Sequence, residues 1–270
     1  MELIKITQEN LETEHICCAI SNNKDCQVAS KKLWLKGRLD EGLVFLKCNI
    51  RGKCFIEYIP AEYAWAPIEA DGYMYIDCLW VSGQFKGHGY SNLMLDECIR
   101  DSKEKGKRGL VILSSKKKMG FLSDPRYMSH KGFETVDTAS PYFELMYLPF
   151  DGSTQKPRFK PSVKEMEQRG IGNGFTLYYT SQCPFTAKYV PIIEDMAKKR
   201  NVAFQSSILR PENRLKTPLF RLQPSACFIM ENLSPTRYNQ RRNLKKFLLK
   251  EDYSLGASHT GAVRGQRDSF

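Results

Sequence analysis

Gln84-Phe85-Lys86-Gly87-His88-Gly89 is the stretch whose residue types and spacing point most directly to chemistry. Two glycines one residue apart let the backbone turn tightly, and neither carries a Cβ that would hold a ligand away. Before the turn, Tyr73 to Val81 reads as an apolar strand. After it, Tyr90 to Ile99 sets Leu93, Met94, Leu95, Cys98 and Ile99 at the spacing of a buried helical face. Such a turn aims the unpaired N–H groups of the first helical turn at one point, where the macrodipole adds partial positive charge. That geometry holds a pyrophosphate.

The surrounding elements fit this role. Two strand-like runs, Leu43 to Ile50 and Lys53 to Pro60, precede the turn and are joined through Arg51-Gly52. After the helix come Gly109 to Ser114, a Lys131-Gly132-Phe133 step and a last strand, Tyr142 to Leu148. A dinucleotide fold would instead need a parallel strand-helix-strand unit and an acidic ribose ligand about 20 residues on. Gln84-x-x-Gly87-x-Gly89 resembles the Arg/Gln-x-x-Gly-x-Gly/Ala loop of the GNAT-type N-acetyltransferases, and the similarity covers roughly residues 1–150. It implies an α/β (α+β) fold with a mixed central sheet and acetyl-coenzyme A as acetyl donor. The coenzyme would lie along Leu79, Trp80 and Val81 and over Gln84, Phe85, Lys86, Gly87, His88, Gly89 and Tyr90. Ser114 and Ser115 would border its pantetheine arm, or simply cap a strand end. Lys116-Lys117-Lys118 could meet the 3′-phosphate, or be a solvated face.

Transfer to an amine needs a base, and the departing thiolate benefits from an acid. The resemblance implies a carboxylate on the central strand as base, a position that Asp77 fills; the plainer reading is a strand-end aspartate. The family's tyrosine, four residues before the glycine of the Gly-Phe step, is Met128 here, which cannot donate a proton. Tyr127 and His130 are the neighbouring donors, with Tyr127 set about 100° away by the helical period. The acceptor would be a small-molecule or peptide amine, attacked directly since no nucleophile-base pair stands out. The alternatives are a monothiol glutaredoxin-like thiol redox protein acting through Cys183 and a domain that binds acyl-coenzyme A without turnover.

The second half differs in character. Residues 1–150 hold 20 Lys+Arg and 20 Asp+Glu; residues 151–270 hold 21 and 10, the whole of the +11 excess. A polar, turn-rich linker over 151–172 would separate the halves. Phe175 to Thr180 reads as a strand running into Ser181-Gln182-Cys183-Pro184-Phe185-Thr186 and a helix. That turn resembles the active site of monothiol glutaredoxins, and Gln223 to Asn232 resembles a thioredoxin-fold segment that begins with a cis-proline. Residues 173–253 thus resemble a YoaP-type thioredoxin-like domain, with a disordered tail over 254–270. A cysteine at a helix N-terminus gains thiolate character, and Thr186 could hydrogen-bond it. With Thr186 in the second thiol's place, only a mixed disulfide, a glutathione adduct at Cys183 or an unrelated binding role remains, beside the plainer reading of a buried packing cysteine.

The bulk properties bound the rest. Nine cysteines without framework spacing suit free thiols in a reducing cytoplasm. Met1 to Ile6 carries no signal-peptide pattern, and no apolar run reaches the roughly 18 residues that span a bilayer. Glu14, His15, Cys17, Cys18 and Cys26 do not repeat a zinc spacing, so no metal is expected, although His15 or Cys17 could touch an acceptor. The basic stretch Arg237 to Lys250 lacks any nucleic-acid-binding signature, and nucleic acid is not the expected partner.

Overall fold

The structure is a computed structural model that describes residues 1–16, 25–119, 122–140, 142–150, 152, 155–161, 163 and 175–209. All belong to the first of two compact units, Met1–Leu233 and Ser234–Phe270. Cys17, Cys18, most of the expected linker, Gln223 to Asn232, the basic stretch and the tail lie outside the described residues.

The core is a seven-stranded sheet. Its strands are β1 (Leu3–Lys5), β2 (Val44–Cys48), β3 (Cys54–Pro60), β5 (Met74–Val81), β6 (Gly109–Ser115), β8 (Phe143–Pro149) and β7 (Glu134–Ala139), in that spatial order. A short β4 (Ile68–Glu69) pairs β9 (Arg158–Phe159) apart from it. Every neighbour in the large sheet is antiparallel except the central pair, β5 and β6. This is the mixed sheet that the sequence led us to expect.

Two irregularities fall at one place. The parallel pairing of β5 with β6 covers Met74–Leu110, Tyr75–Val111 and Ile76–Ile112 and then stops, although both strands continue. On its other side, β5 pairs Ile76 with Tyr58 and Cys78 with Glu57, so Asp77 is an extra residue. Such a bulge bends and twists its strand, and here it sits where β5 leaves β6.

The sheet carries a hydrophobic cluster on each face. Helix α2 (Tyr90–Glu104) covers one with Met94, Leu95 and Cys98, against Ile56, Ile76 and Ile112. Leu93, placed by sequence in that buried face, is instead 37% exposed; Met94, Leu95, Cys98 and Ser102 define the stripe. Helix α1 (Cys26–Leu39), capped by Asp25 through the N–H of Gln27 (2.8 Å), covers the other. Its inward stripe is unusually polar: Gln27, Lys31, Lys32 and Arg38 are all buried.

Lys31 forms an ion pair with Glu57 of β3, each only 1% exposed. The lysine Nζ also lies 4.3 Å from the centroid of the Trp34 ring. Removing one partner of a buried pair strands the other charge, whereas replacing both with apolar groups can be neutral.

Residues 175–209 add a strand-helix-strand unit. β10 (Phe175–Tyr179) and β11 (Phe204–Ile208) run parallel, bridged by α4 (Thr186–Lys199) after the short α3 (Pro125–His130) earlier in the chain. The unit rests on α1 and the loop before β5: Ser30 and Ser181 share a hydroxyl hydrogen bond of 2.8 Å, and Leu209 packs on Trp65.

The buried pair yields the first prediction. In urea unfolding, Lys31→Met is expected to lose about 3–5 kcal/mol, and Lys31→Met with Glu57→Leu to recover most of it. A single variant within 1 kcal/mol of wild type, roughly the scale of an exposed pair, would contradict the pair's burial.

Candidate coenzyme and acetyl-transfer site

Past β5 the chain makes one turn of 3₁₀ helix over Gly83–Phe85 and enters α2 through Gly89. Gly87 and Gly89 have φ of +81° and +77°, the left-handed region that strains other residues. A Cβ added at either would meet no protein atom within 4 Å. Protein packing therefore does not require these glycines; the backbone and the open space above them do.

The helix start is also bare. No side chain caps α2 and no acidic residue stands in its first turn. The first helical N–H bonds are those of Asn92 and Leu93 to Gly89 O (both 3.0 Å). The N–H groups ahead of them and the positive end of the dipole face outward.

This turn walls a cleft of about 250 Å³ together with Leu79, Val81, Ser91, Ser123 and Tyr127. Phe85 and Lys86 also line it, whereas Gln84, Trp80 and His88 do not. His88 is exposed, with its Nδ1 2.9 Å from Lys86 O and its ring stacked on Tyr90. Phe85 is seated on the β2–β3 turn: a Cβ at Gly52 would fall 2.2 Å from its ring. Ser82 donates its N–H to Lys53 O (2.9 Å), fixing the end of β5 to the same turn.

A smaller recess of about 40 Å³ continues into the gap between β5 and β6, sharing Leu79 and Ser123 with the cleft. Asp77, Cys78, Trp80 and Leu113 line it. The bulged aspartate is buried, with 9% exposure, and so stands at the mouth of the splay.

The acid candidates separate cleanly. Met128 is buried in the α2-side cluster and also borders the cleft, where its thioether has no proton to give. Tyr127 lines the cleft, and its hydroxyl donates to Asn92 Oδ1 (3.1 Å) across to α2. The 100° offset thus leaves Tyr127 on the cleft beside Met128 rather than turned away from it. Its burial pushes the phenol pKa up, against a lowering hydrogen bond with Ser91, and the Asp96 charge adds to the rise. His130 is exposed near the end of α3 and lines neither space.

Other expected residues are occupied elsewhere. Ser114 and Ser115 are fully buried, donating to Ser123 O (2.8 Å) and Lys117 O (2.6 Å). They tie the β6 end to the following loop and line neither space. Lys118 pairs with Asp124 (2.5 Å), which caps α3 through Arg126 N–H and whose carboxyl pKa the lysine holds low. His15 is half-buried. Among the described residues, no three His, Cys, Asp or Glu side chains gather as a metal site, and no helix is long and apolar enough to cross a membrane.

Cys183 lies in the turn between β10 and α4 and is 9% exposed. Thr186 does not serve it as the sequence suggested. Its hydroxyl lies 2.8 Å from both Thr180 O and Cys183 O and donates to these carbonyls instead of to the thiol.

No family model matches the chain. It is, however, 44% identical over 219 residues to the uncharacterized N-acetyltransferase YoaP of Bacillus subtilis (strain 168), across 80% of this chain and 86% of that protein. The chain belongs to the YoaP family of N-acetyltransferases. Two solved structures share 16% and 14% identity with this YoaP-family chain. The first is the PaiA N-acetyltransferase of Thermoplasma acidophilum with coenzyme A, matched over 56% of this chain and 100% of its own at a TM-score of 0.39. The second, a GNAT-family acetyltransferase of Brucella melitensis with acetyl-CoA, is matched over 57% and 91% at 0.37.

Sequence reasoning missed Asn92, Gly52 and the Lys31–Glu57 pair of this YoaP-family protein. Glu57 was the detectable one, a lone acid in the apolar run Cys54 to Pro60. The Tyr127 environment gives a pH prediction. A raised pKa adds stability that is present below the ordinary tyrosine value of about 10 and lost as pH climbs through the raised one. Ultraviolet difference titration against Tyr127→Phe should show Tyr127 ionising above that ordinary value; ionisation at or below it would contradict the half-buried phenol.

Proposed function

We propose that the chain transfers an acetyl group directly from acetyl-coenzyme A to an amine, with the coenzyme in the Gly87–Gly89 cleft and along β5. The single observation that carries this reading is the coincidence of three features. They are an open, positive-φ glycine turn on a bare helix start, a β5 strand whose pairing with β6 ends at Ile76, and a buried carboxylate at that divergence. The fit to the coenzyme is chemical as well as spatial. N–H groups at the α2 start suit a pyrophosphate, and the main chain of Leu79 to Val81, past the end of the β6 pairing, suits the amides of a pantetheine arm, as in strand addition.

When bound, the coenzyme supplies an activated acetyl thioester. The chain's own residues do the rest. Asp77 takes a proton from the acceptor ammonium so that the neutral amine can attack. Tyr127, held by Asn92 and kept neutral by burial, offers its proton on the coenzyme side of the cleft. Met128 leaves that task to its neighbour.

Residues 175–209 fit the opening strand-helix-strand of a thioredoxin-like unit, and we read them as a wall of the acceptor side. Lys53 Nζ lies 6.0 Å from the Trp80 ring and 5.6 Å from the Phe185 ring, which brings the Cys183 turn beside β5. Redox work at Cys183, with or without glutathione, has less support, because the thiol is buried and its neighbouring hydroxyl is committed.

Calorimetry should give micromolar acetyl-coenzyme A binding to wild type, weakened roughly tenfold or more (about 1.4 kcal/mol) by Gly87→Glu. In a thiol-release assay over a panel of amines, Asp77→Asn should lower kcat by about 10²-fold or more while leaving coenzyme affinity within about threefold. Equal affinity in Gly87→Glu, or full turnover in Asp77→Asn, would overturn the respective assignments.

A further inference from the structure

Cys48 ends β2 and Cys54 begins β3. The register of these strands runs from Val44–Tyr58 to Lys47–Phe55, and one further step sets Cys48 directly opposite Cys54. Their sulfurs are 2.8 Å apart, closer than an ordinary non-bonded sulfur contact. Both side chains are fully buried, and both residues are reduced. Cys54 gives its N–H to Gly52 O (3.0 Å) and Cys48 O accepts from Ile50 N–H (2.7 Å), so the 49–53 turn is held close to both cysteines. Antiparallel residues directly opposite one another stand with Cα atoms about 4.5 to 5.5 Å apart. That spacing lies within the span of a disulfide.

The same turn supports the coenzyme cleft. Gly52 presses against Phe85, Lys53 O holds Ser82 N–H, and Cys54 is the register partner of Val81. Phe85 and Val81 both line the cleft. The Gly52–Phe85 contact has no slack, so a shift of the turn moves the ring.

We propose that Cys48 and Cys54 are a cross-strand disulfide site, closed by hydrogen peroxide, and that closing it weakens coenzyme binding through Gly52 and Phe85. The second part rests on the coenzyme reading of the cleft. In the reaction, one thiolate attacks a peroxide oxygen, giving a sulfenic acid and releasing water. The other thiolate then displaces the sulfenic oxygen, forming the S–S bond and releasing a second water. Two thiols are oxidised, one peroxide is reduced, and both thiol protons leave in water. Burial sets the pace: oxidation waits for the 49–53 turn to open, so it is slower than at the exposed Cys26.

The test treats the full chain with hydrogen peroxide, alkylates remaining thiols under denaturing conditions, and maps the peptides while coenzyme A affinity is measured in parallel. The expected map contains a Cys48–Cys54 linked peptide, lighter by the two thiol hydrogens. Coenzyme A affinity should fall at least threefold and return on reduction. Cys54→Ala should abolish both effects, and Cys26→Ala neither. Separate alkylation of Cys48 and Cys54 at every peroxide dose would overturn the site, whatever the variants do. A linked peptide with unchanged affinity would overturn the coupling. Failure of reduced wild type to bind coenzyme A would remove the coenzyme reading, while the peptide map would still decide the disulfide.

Discussion

The fold turns on a loss of pairing. Two parallel strands share three register pairs and then part, and one inserted residue, Asp77, marks the place. A strand edge inside a sheet is ordinarily satisfied by its neighbour. Here β5 keeps β3 on one side along its length and parts from β6 on the other after Ile76, which leaves a recess between the two strands. The bulge also shifts the side-chain alternation by one. Tyr73 and Tyr75 belong to the α1-side cluster, and beyond Asp77 it is Cys78 and Trp80 that pack there. Leu79 and Val81 accordingly turn to the α2 side, where the cleft begins.

The supports of this opening are specific. On the α2 side, Phe85 seated on Gly52 anchors the glycine turn, and Tyr127 reaches across to Asn92. On the α1 side, the buried stripe is polar rather than greasy, with Lys31 neutralising Glu57 across from Cys78. A buried charge pair is a poor source of net stability, and its place beside the bulge suits a site that handles charge. The strand-helix-strand unit of residues 175–209 leans on this same side through Ser181, Phe185 and Leu209.

Much of this was legible in the sequence because it was local. Gly87 and Gly89 follow an apolar strand and precede a helical stripe, and each signal needs only a dozen residues to read. Strands β2, β3, β5, β6 and β8 likewise emerged within a residue or two of their true ends, whereas β7 did not. The bulge was not legible, since it is a relation between β3 and β5 and has no signature in either alone. Nor was the side on which Tyr127 falls: helical period gave the angle, but only packing of α3 on α2 says what lies there. Leu93 was misplaced because adjacent apolar residues in a helix cannot all face inward, and the sheet selected Met94 and Leu95. Thr186 failed as a thiol partner because nearby carbonyls compete for its one proton.

The most direct test is amide hydrogen exchange with and without acetyl-coenzyme A. Binding should slow exchange at Asp77 to Val81 and at Gly89 to Asn92, and leave Met74 to Ile76, already paired with β6, unchanged. Protection confined to other segments, or no protection along β5 beyond Ile76, would contradict the view that the splay is where the coenzyme lies.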